Sequence, residues 1–169
     1  MAVLAAVAIP KFINFREDAE ISRVKAIAAA YQEAVGFVQI RYQILGLSEH
    51  MADIPGYADN SIDVNPSGFP IGIDKGGPNK IIKNTKNIGQ QDKGCVELWK
   101  ILLNAPPSVS LKDDGKDFTA YRHKADGGSD KSQCTYVLRT LGDTQNRKNA
   151  DISINYDSET GRVTTLFKD

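Results

Sequence analysis

The chain has 169 residues, 41% of them hydrophobic, and its 21 basic and 21 acidic side chains give a formal net charge of zero. This length and composition predict one globular domain with an ordinary core. The zero net charge argues against a nucleic-acid partner, because contacts to phosphates require a basic surface.

The first 46 residues predict one long helix. Residues 1–9 form an apolar run that is too short to span a bilayer, which takes about 20 residues. A secretory signal would require a basic residue before this run, and none precedes it. Pro10 can kink a helix, but the alanine-rich flanks on both sides favour a kinked helix over a helix that ends there.

The second half of this helix is amphipathic. Its apolar residues recur at steps of three and four and define a face that packs on a sheet: Val24, Ile27, Ala28, Tyr31, Val35, Val38, Tyr42 and Leu45. Gly46 followed by Leu47 fits the end of a helix. At about 1.5 Å per residue this helix is about 65–70 Å long, more than so small a domain can cover. Residues 1–21 are therefore predicted to project from a domain of residues 22–169, whose spine is the helix 22–46.

Residues 47–94 predict a loop-rich connector, because proline and glycine break them into short pieces. The glycines and lysines of residues 72–80 lack the spacing of a phosphate-binding loop. Residues 95–104 predict a short helix that Pro106 and Pro107 terminate. Trp99 belongs to the core on this interpretation, since it shares a face with apolar neighbours.

The period of the apolar residues changes from helical to alternating after Gly115. Four strands are predicted within residues 117–169, namely 118–123, 133–141, 151–156 and 162–167. The expected fold class is therefore α+β, with the long helix packed on a four-stranded antiparallel meander.

Cys95 and Cys134 are the two cysteines of the chain. Such a pair forms one disulfide in a secreted or periplasmic protein, or two buried thiols in a cytosolic one. A disulfide here would close a loop of about 40 residues and stabilise the fold by about 4 kcal/mol in the chain-entropy model.

Several stretches carry a family likeness that covers nearly the whole chain. The first is Leu4–Phe12, with the sequence LAAVAIPKF; the others are Asn65–Pro70, Cys95–Trp99 followed by Pro106–Pro107, Cys134–Tyr136, Ile154–Tyr156 and Thr160–Val163. The first stretch resembles the later part of the N-terminal helix of type IV pilins and of the pseudopilins of type II secretion. The later stretches are similar to mannose-sensitive haemagglutinin-type pilins.

The chain departs from this family at its start. Family members begin with a leader, a methylated aromatic residue, a nearby glutamate and a longer apolar run. About a dozen such residues are replaced here by Met1, so the remaining run is too short to span a bilayer. We therefore expect an N-terminally truncated form that is soluble.

The resemblance implies a structural subunit and not an enzyme. Such a subunit polymerises through its N-terminal helix into a surface filament for attachment, adhesion or motility. It implies self-association, contact with the assembly machinery, residence in the inner membrane before assembly, and a place in an extracellular pilus afterwards. The expected assembly interface consists of Leu4, Val7, Pro10, Phe12 and Phe15. An extracytoplasmic location favours the disulfide between Cys95 and Cys134.

The alternative within the family is a pseudopilin, a periplasmic piston subunit of type II secretion. Such proteins usually bind calcium in a loop near the C-terminus. Two sets of oxygen ligands are available, Asp126, Ser129 and Asp130, or Asp143, Asn146 and Asp151, but neither has the spacing of a calcium loop. We expect solvated turns and no cofactor at these places.

An enzyme is the third class of function. The two histidines, His50 and His123, are accompanied by no nucleophile elbow, metal-binding helix motif or pair of carboxylates at catalytic spacing. Surface positions are the simpler interpretation for both histidines.

Overall fold

The computed structural model describes residues 3–76 and 81–168, with the side chains of the first helix described from Phe15 onward. The described residues form an α+β fold. In chain order its elements are α1 (Val3–Ile44), β1 (Ile62–Val64), β2 (Pro70–Ile73), α2 (Asp92–Leu102), β3 (Val109–Ser110), β4 (Phe118–His123), β5 (Gln133–Leu138), β6 (Ile152–Asp157) and β7 (Arg162–Phe167).

Helix α1 has 42 residues and is about 63 Å long. It continues through Pro10 and ends two residues before the predicted boundary, at Ile44. Gly46 follows with a φ of 67°, a left-handed conformation that glycine adopts without a steric penalty. The N–H of Gly46 donates to the carbonyl of Gln43 at 2.9 Å, and the N–H of Leu47 donates to that of Tyr42 at 3.4 Å. These two bonds close the helix as the Gly46–Leu47 pair predicts.

The main sheet has five strands in the order β3-β4-β5-β6-β7. The predicted meander of four antiparallel strands is present as β4 to β7, and β4 and β7 have the predicted bounds. The bounds predicted for the other two strands are wrong, since β5 ends at residue 138 and not 141, and β6 lies one residue later than predicted. The prediction of a four-stranded, wholly antiparallel sheet is also wrong, because β3 pairs with β4 in parallel at one edge. Strand β3 has only two residues, which is too short for a periodic pattern in the sequence. This strand therefore forms only through its tertiary contact with β4.

The connector of residues 47–94 contains a hairpin that its sequence did not predict. Strands β1 and β2 pair antiparallel, and residues 65–69 make the turn between them. The Asn65 side-chain oxygen accepts the N–H groups of Ser67 at 2.9 Å and Phe69 at 3.0 Å, and its amide donates to the carbonyl of Ser158 at 2.7 Å. One buried asparagine therefore fixes the turn and joins it to the end of β6.

Helix α2 begins three residues earlier than predicted and ends two residues earlier. Gly94, predicted to end the connector, lies inside the helix. A Cβ on Gly94 would lie 1.8 Å from the carbonyl oxygen of Gly89, so only glycine permits this close approach. Leu103 is extended and ends the helix, and the Trp99 indole N–H donates to the carbonyl of Pro107 at 2.9 Å.

The core lies between the inner face of α1, helix α2 and the sheet. Trp99, Tyr31, Tyr136, Tyr156 and Phe118 are fully buried, as Trp99 was predicted to be. Their rings form one cluster with centroid separations of 4.4–6.0 Å for the contacting pairs. Aromatic pairs at such distances stabilise a core beyond the area that they bury.

Cys95 and Cys134 form the expected disulfide, which joins α2 to β5. Both residues are fully buried, and the carbonyl of Cys95 accepts a hydrogen bond of 2.8 Å from the Tyr136 hydroxyl. The disulfide is therefore part of the same core as the aromatic cluster.

The contact of α1 with the domain begins before its first fully buried residue, Val24. Ile21 packs against the core from the edge, and the Arg16 guanidinium donates to the carbonyl of Thr140 at 2.6 Å. The division of the chain at residues 21 and 22 remains a prediction, since a helix that leaves a domain gradually has no sharp boundary.

Candidate assembly surface

Helix α1 carries two apolar faces, and the domain covers one of them. The inner face is buried and consists of Val24, Ala28, Tyr31, Val35, Val38 and Tyr42. On the opposite side runs a line of exposed residues that we call the outer seam: Phe15, Ala19, Ser22, Ala26, Ala30, Glu33, Phe37, Ile40 and Ile44. The steps along this seam are of three and four residues, so the seam follows one side of the helix.

The large side chains of the outer seam are strongly exposed. Phe15 is 67% exposed, Phe37 53%, Ile40 51% and Ile44 70%. Single exposed apolar residues are normal on a protein surface, but Phe37, Ile40 and Ile44 follow one another on one side of α1, and adjoining exposed apolar residues mark a surface for association. A helix that is apolar on two opposite faces is typical of one that is buried on both.

The middle of the seam is made of small residues. Ala19, Ser22, Ala26 and Ala30 present little volume, and a groove of about 290 Å³ runs beside the last two of them. Pro106 and Pro107 form the far side of this groove. Small side chains permit close approach of another helix. Residues 19–30 of the seam therefore form a hollow, with Phe15 before it and Glu33, Phe37, Ile40 and Ile44 after it.

Of the predicted interface residues, Phe15 lies on the outer seam. Leu4, Val7, Pro10 and Phe12 belong to α1, but their side chains lie outside the described residues, and their part in an interface remains a prediction. The prediction placed the whole interface in the first 15 residues.

Phe37, Ile40 and Ile44 extend the candidate surface much farther along α1 than the sequence analysis expected. Their spacing of three and four residues was visible in the sequence. It was missed because the inner face already accounted for the amphipathic pattern, and Phe37, Ile40 and Ile44 lie between its members.

Among residues 3–76 and 81–168, no group of three or more His, Cys, Asp or Glu side chains could hold a metal ion. In one of the two candidate calcium sets, the Asp143 carboxylate accepts the N–H groups of Gln145 at 2.7 Å and Asp151 at 2.9 Å. Asn146 likewise accepts the N–H of Lys148 at 3.0 Å. These side chains stabilise turns of the backbone.

His123 lies half-buried on β4. Its Nε2 is 2.7 Å from the Thr135 hydroxyl, and Nδ1 is 2.8 Å from the carbonyl of Lys124. Burial lowers the pKa of the His123 imidazole. The Thr135 hydroxyl in turn donates to Asn155 at 2.9 Å, so the histidine is the end of a cross-strand hydrogen-bond chain over β4, β5 and β6.

No protein-family model, curated protein or solved structure matches this chain. None of the helices in the described part of the chain combines the length and the apolar character needed to cross a membrane. The candidate surface is defined by one helix, a face of it that the domain covers, and an opposite face that the domain leaves exposed.

Proposed function

We propose that the chain is a structural subunit of a type IV pilus, which polymerises through α1 into a surface filament for attachment, adhesion or motility. The observation that carries this proposal is the outer seam, a line of exposed residues on the side of α1 that the domain leaves uncovered, which is apolar except for Ser22 and Glu33. Residues Phe15 to Ile44 span 29 steps of about 1.5 Å, so the seam is about 44 Å long.

The geometry of the seam favours association of like subunits. Helices that pack side by side interlock large residues of one with hollows of the other. The seam offers both, with phenylalanine and isoleucine towards its described ends and alanine between them. A contact between different parts of two copies is heterologous, and repetition of such a contact generates an open helical filament.

A pseudopilin of type II secretion has the same requirement for helix packing and is the second candidate. The disulfide between Cys95 and Cys134 favours the pilus, because pseudopilins of the resembled kind often lack one. Loss of secretion without loss of surface filaments, after deletion of the gene, would support the pseudopilin instead.

The proposal is tested by charge substitution on the seam, introduced into the gene that encodes this chain in its own cells. We expect Phe37→Asp to abolish surface filaments in negative-stain images of cells, because a carboxylate would be buried without a partner. Leu111→Asp is the matched control, since Leu111 is 48% exposed but lies away from α1, and it should leave filaments unchanged. Normal filaments in cells that carry Phe37→Asp, with the variant present at normal level, would contradict the proposal.

A further inference from the structure

A cavity of about 320 Å³ lies where α1 joins the domain. Its apolar floor is formed by Leu138, Leu141 and Ile152, at the end of β5 and the start of β6. Leu138 and Ile152 are almost fully buried, so the floor is continuous with the core. A volume of this size is at the lower limit for small-molecule sites and suits a compact ligand.

The rim of the cavity carries charges of both signs. Arg16 and Lys168 are the basic groups, and Glu17 and Asp151 are exposed acidic groups. Arg16 donates one N–H to the carbonyl of Thr140, which fixes the guanidinium at the rim. A guanidinium has five N–H groups, so four remain for a ligand.

Asp143 forms a wall of the cavity, but its carboxylate already binds other groups of the protein. Its side chain is 6% exposed, lies 3.9 Å from the buried Arg139 guanidinium, and accepts two backbone N–H groups. The groups that remain to bind a ligand are therefore the cations Arg16 and Lys168 and the carboxylates of Glu17 and Asp151. Two cations and two anions around an apolar floor match a ligand that is itself zwitterionic and partly apolar.

The position of the cavity along α1 fits a ligand at the surface of a bilayer. Arg16 is seven residues from Ile9, the end of the apolar run, or about 10 Å along the helix. The polar headgroup layer of a bilayer is about 5–8 Å thick on each side of the hydrocarbon. The Arg16 Cα therefore lies about 2–5 Å outside that layer, which is within the length of an arginine side chain.

We propose that this cavity binds the headgroup of a zwitterionic phospholipid of the phosphoethanolamine type. The phosphate lies between Arg16 and Lys168, the ammonium faces Glu17 and Asp151, and the glycerol carbons contact the floor. The inference rests on the proposed function, because the apolar run of α1 enters a bilayer only in a subunit that is stored in the membrane. The cavity would hold the domain at the membrane surface before assembly.

The test is a titration of the 169-residue protein with glycerophosphoethanolamine, in which NMR records the chemical shifts of the protein's methyl groups. We expect saturable shifts at Leu141 and Ile152 with a Kd of about 1–10 mM, as befits a small polar headgroup. Inorganic phosphate, which lacks the ammonium, and glycerophosphoglycerol, whose headgroup is anionic, should bind about tenfold more weakly. Shifts that phosphate reproduces with equal affinity would mean a plain anion site and would overturn the proposal, as would the absence of shifts.

Two variants probe the two ends of the ligand. Lys168→Gln and Asp151→Asn should each weaken binding of glycerophosphoethanolamine about tenfold, whereas the exposed-site controls Lys112→Gln and Asp126→Asn should not change it. Unchanged binding in either cavity variant would overturn the assignment. Binding is measured on the monomer, so it can be scored separately from filament formation. If the monomer binds the headgroup but cells form no filaments, the proposed function alone is contradicted. If cells form filaments but the monomer does not bind the headgroup, this inference alone is contradicted.

Discussion

Gln32 of α1 binds the backbone of β7 beside Val163 with both ends of its side-chain amide. The Gln32 oxygen accepts the N–H of Val163 at 2.7 Å, and the Gln32 nitrogen donates to the carbonyl of Gly161 at 2.9 Å. Strand β7 is the edge of the main sheet, and edge strands expose backbone groups that recruit other chains. The glutamine occupies the place of a sixth strand at this end of β7.

Replacement of Gln32 by alanine should destabilise the protein by about 1–2 kcal/mol, because two hydrogen bonds are lost at the edge of the sheet. Urea unfolding measures the loss, and hydrogen exchange at the Val163 amide should become faster. Gln43→Ala is the control, since Gln43 is an exposed glutamine near the end of the same helix, and its effect should stay within about 0.5 kcal/mol. Equal stability of the two variants would show that water replaces the Gln32 bonds without cost.

Substitutions on the two faces of α1 should separate assembly from stability. Phe15→Ser and Phe37→Ser should each change the free energy of unfolding of the monomer by less than about 0.5 kcal/mol, since both rings are exposed. Val35→Ala, on the inner face, should cost about 2 kcal/mol because its side chain is fully buried. Chemical denaturation of the three variants measures this difference. A large loss for Phe15→Ser would mean that the domain covers this part of α1.

The buried tyrosines should make the protein sensitive to alkali. Burial raises the pKa of Tyr31, Tyr136 and Tyr156 above the value of 10.0 that they have in an unfolded chain. Their contribution to stability is therefore constant below pH 10 and is lost as the pH rises further, since only the unfolded chain then releases these protons. Three such groups give a slope of up to about 4 kcal/mol per pH unit.

Unfolding followed by tyrosinate absorbance tests this sensitivity. Tyr156→Phe removes one of the three groups, so it should reduce the slope by up to about 1.4 kcal/mol per pH unit after correction for its effect at neutral pH. The chain has six tyrosines, so up to three of them can ionise while the buried three stay protonated. Tyrosinate absorbance equivalent to more than three tyrosines, before the loss of tertiary structure, would show that the buried hydroxyls ionise in the folded protein.

Loss of the disulfide should weaken the fold without changing its architecture. The two cysteines are 39 residues apart, so reduction should cost about 4 kcal/mol in the chain-entropy model. The midpoint of urea unfolding should fall on addition of a reductant, and the Cys95→Ala, Cys134→Ala double variant should show the lower midpoint with or without reductant. A midpoint that reductant leaves unchanged, with free thiols detected, would contradict the prediction.

Long periodic segments of this chain could be predicted from the sequence. Residues 118–123 and 162–167 are rich in β-branched and aromatic residues and form β4 and β7 with the predicted bounds. The inner face of α1 was predicted from the spacing of its apolar residues. The end of α1 near Gly46 was predicted because glycine adopts a positive φ freely. Local chemistry suffices for these elements, because each is encoded within the segment itself.

Short or contact-dependent elements could not be predicted. The two residues of β3 hold their conformation by pairing with β4, and the hairpin of β1 and β2 depends on Asn65 and its bond to Ser158. Helix α2 extends through Gly94 because the Gly89 carbonyl packs against it. Each of these features arises from a partner that is distant in the sequence, and no local pattern reports such a partner.

The sequence by itself determined that α1 is a long helix, that alternating strands follow it, and that Cys95 and Cys134 are available to form a disulfide. Only the tertiary structure decided which side of α1 the domain covers, and thereby which apolar residues are left as the outer seam. The physical reason is that apolar spacing reports a preference to leave water but does not specify the partner. Val35 and Phe37 have that same preference, and the position of the sheet buries the first and exposes the second.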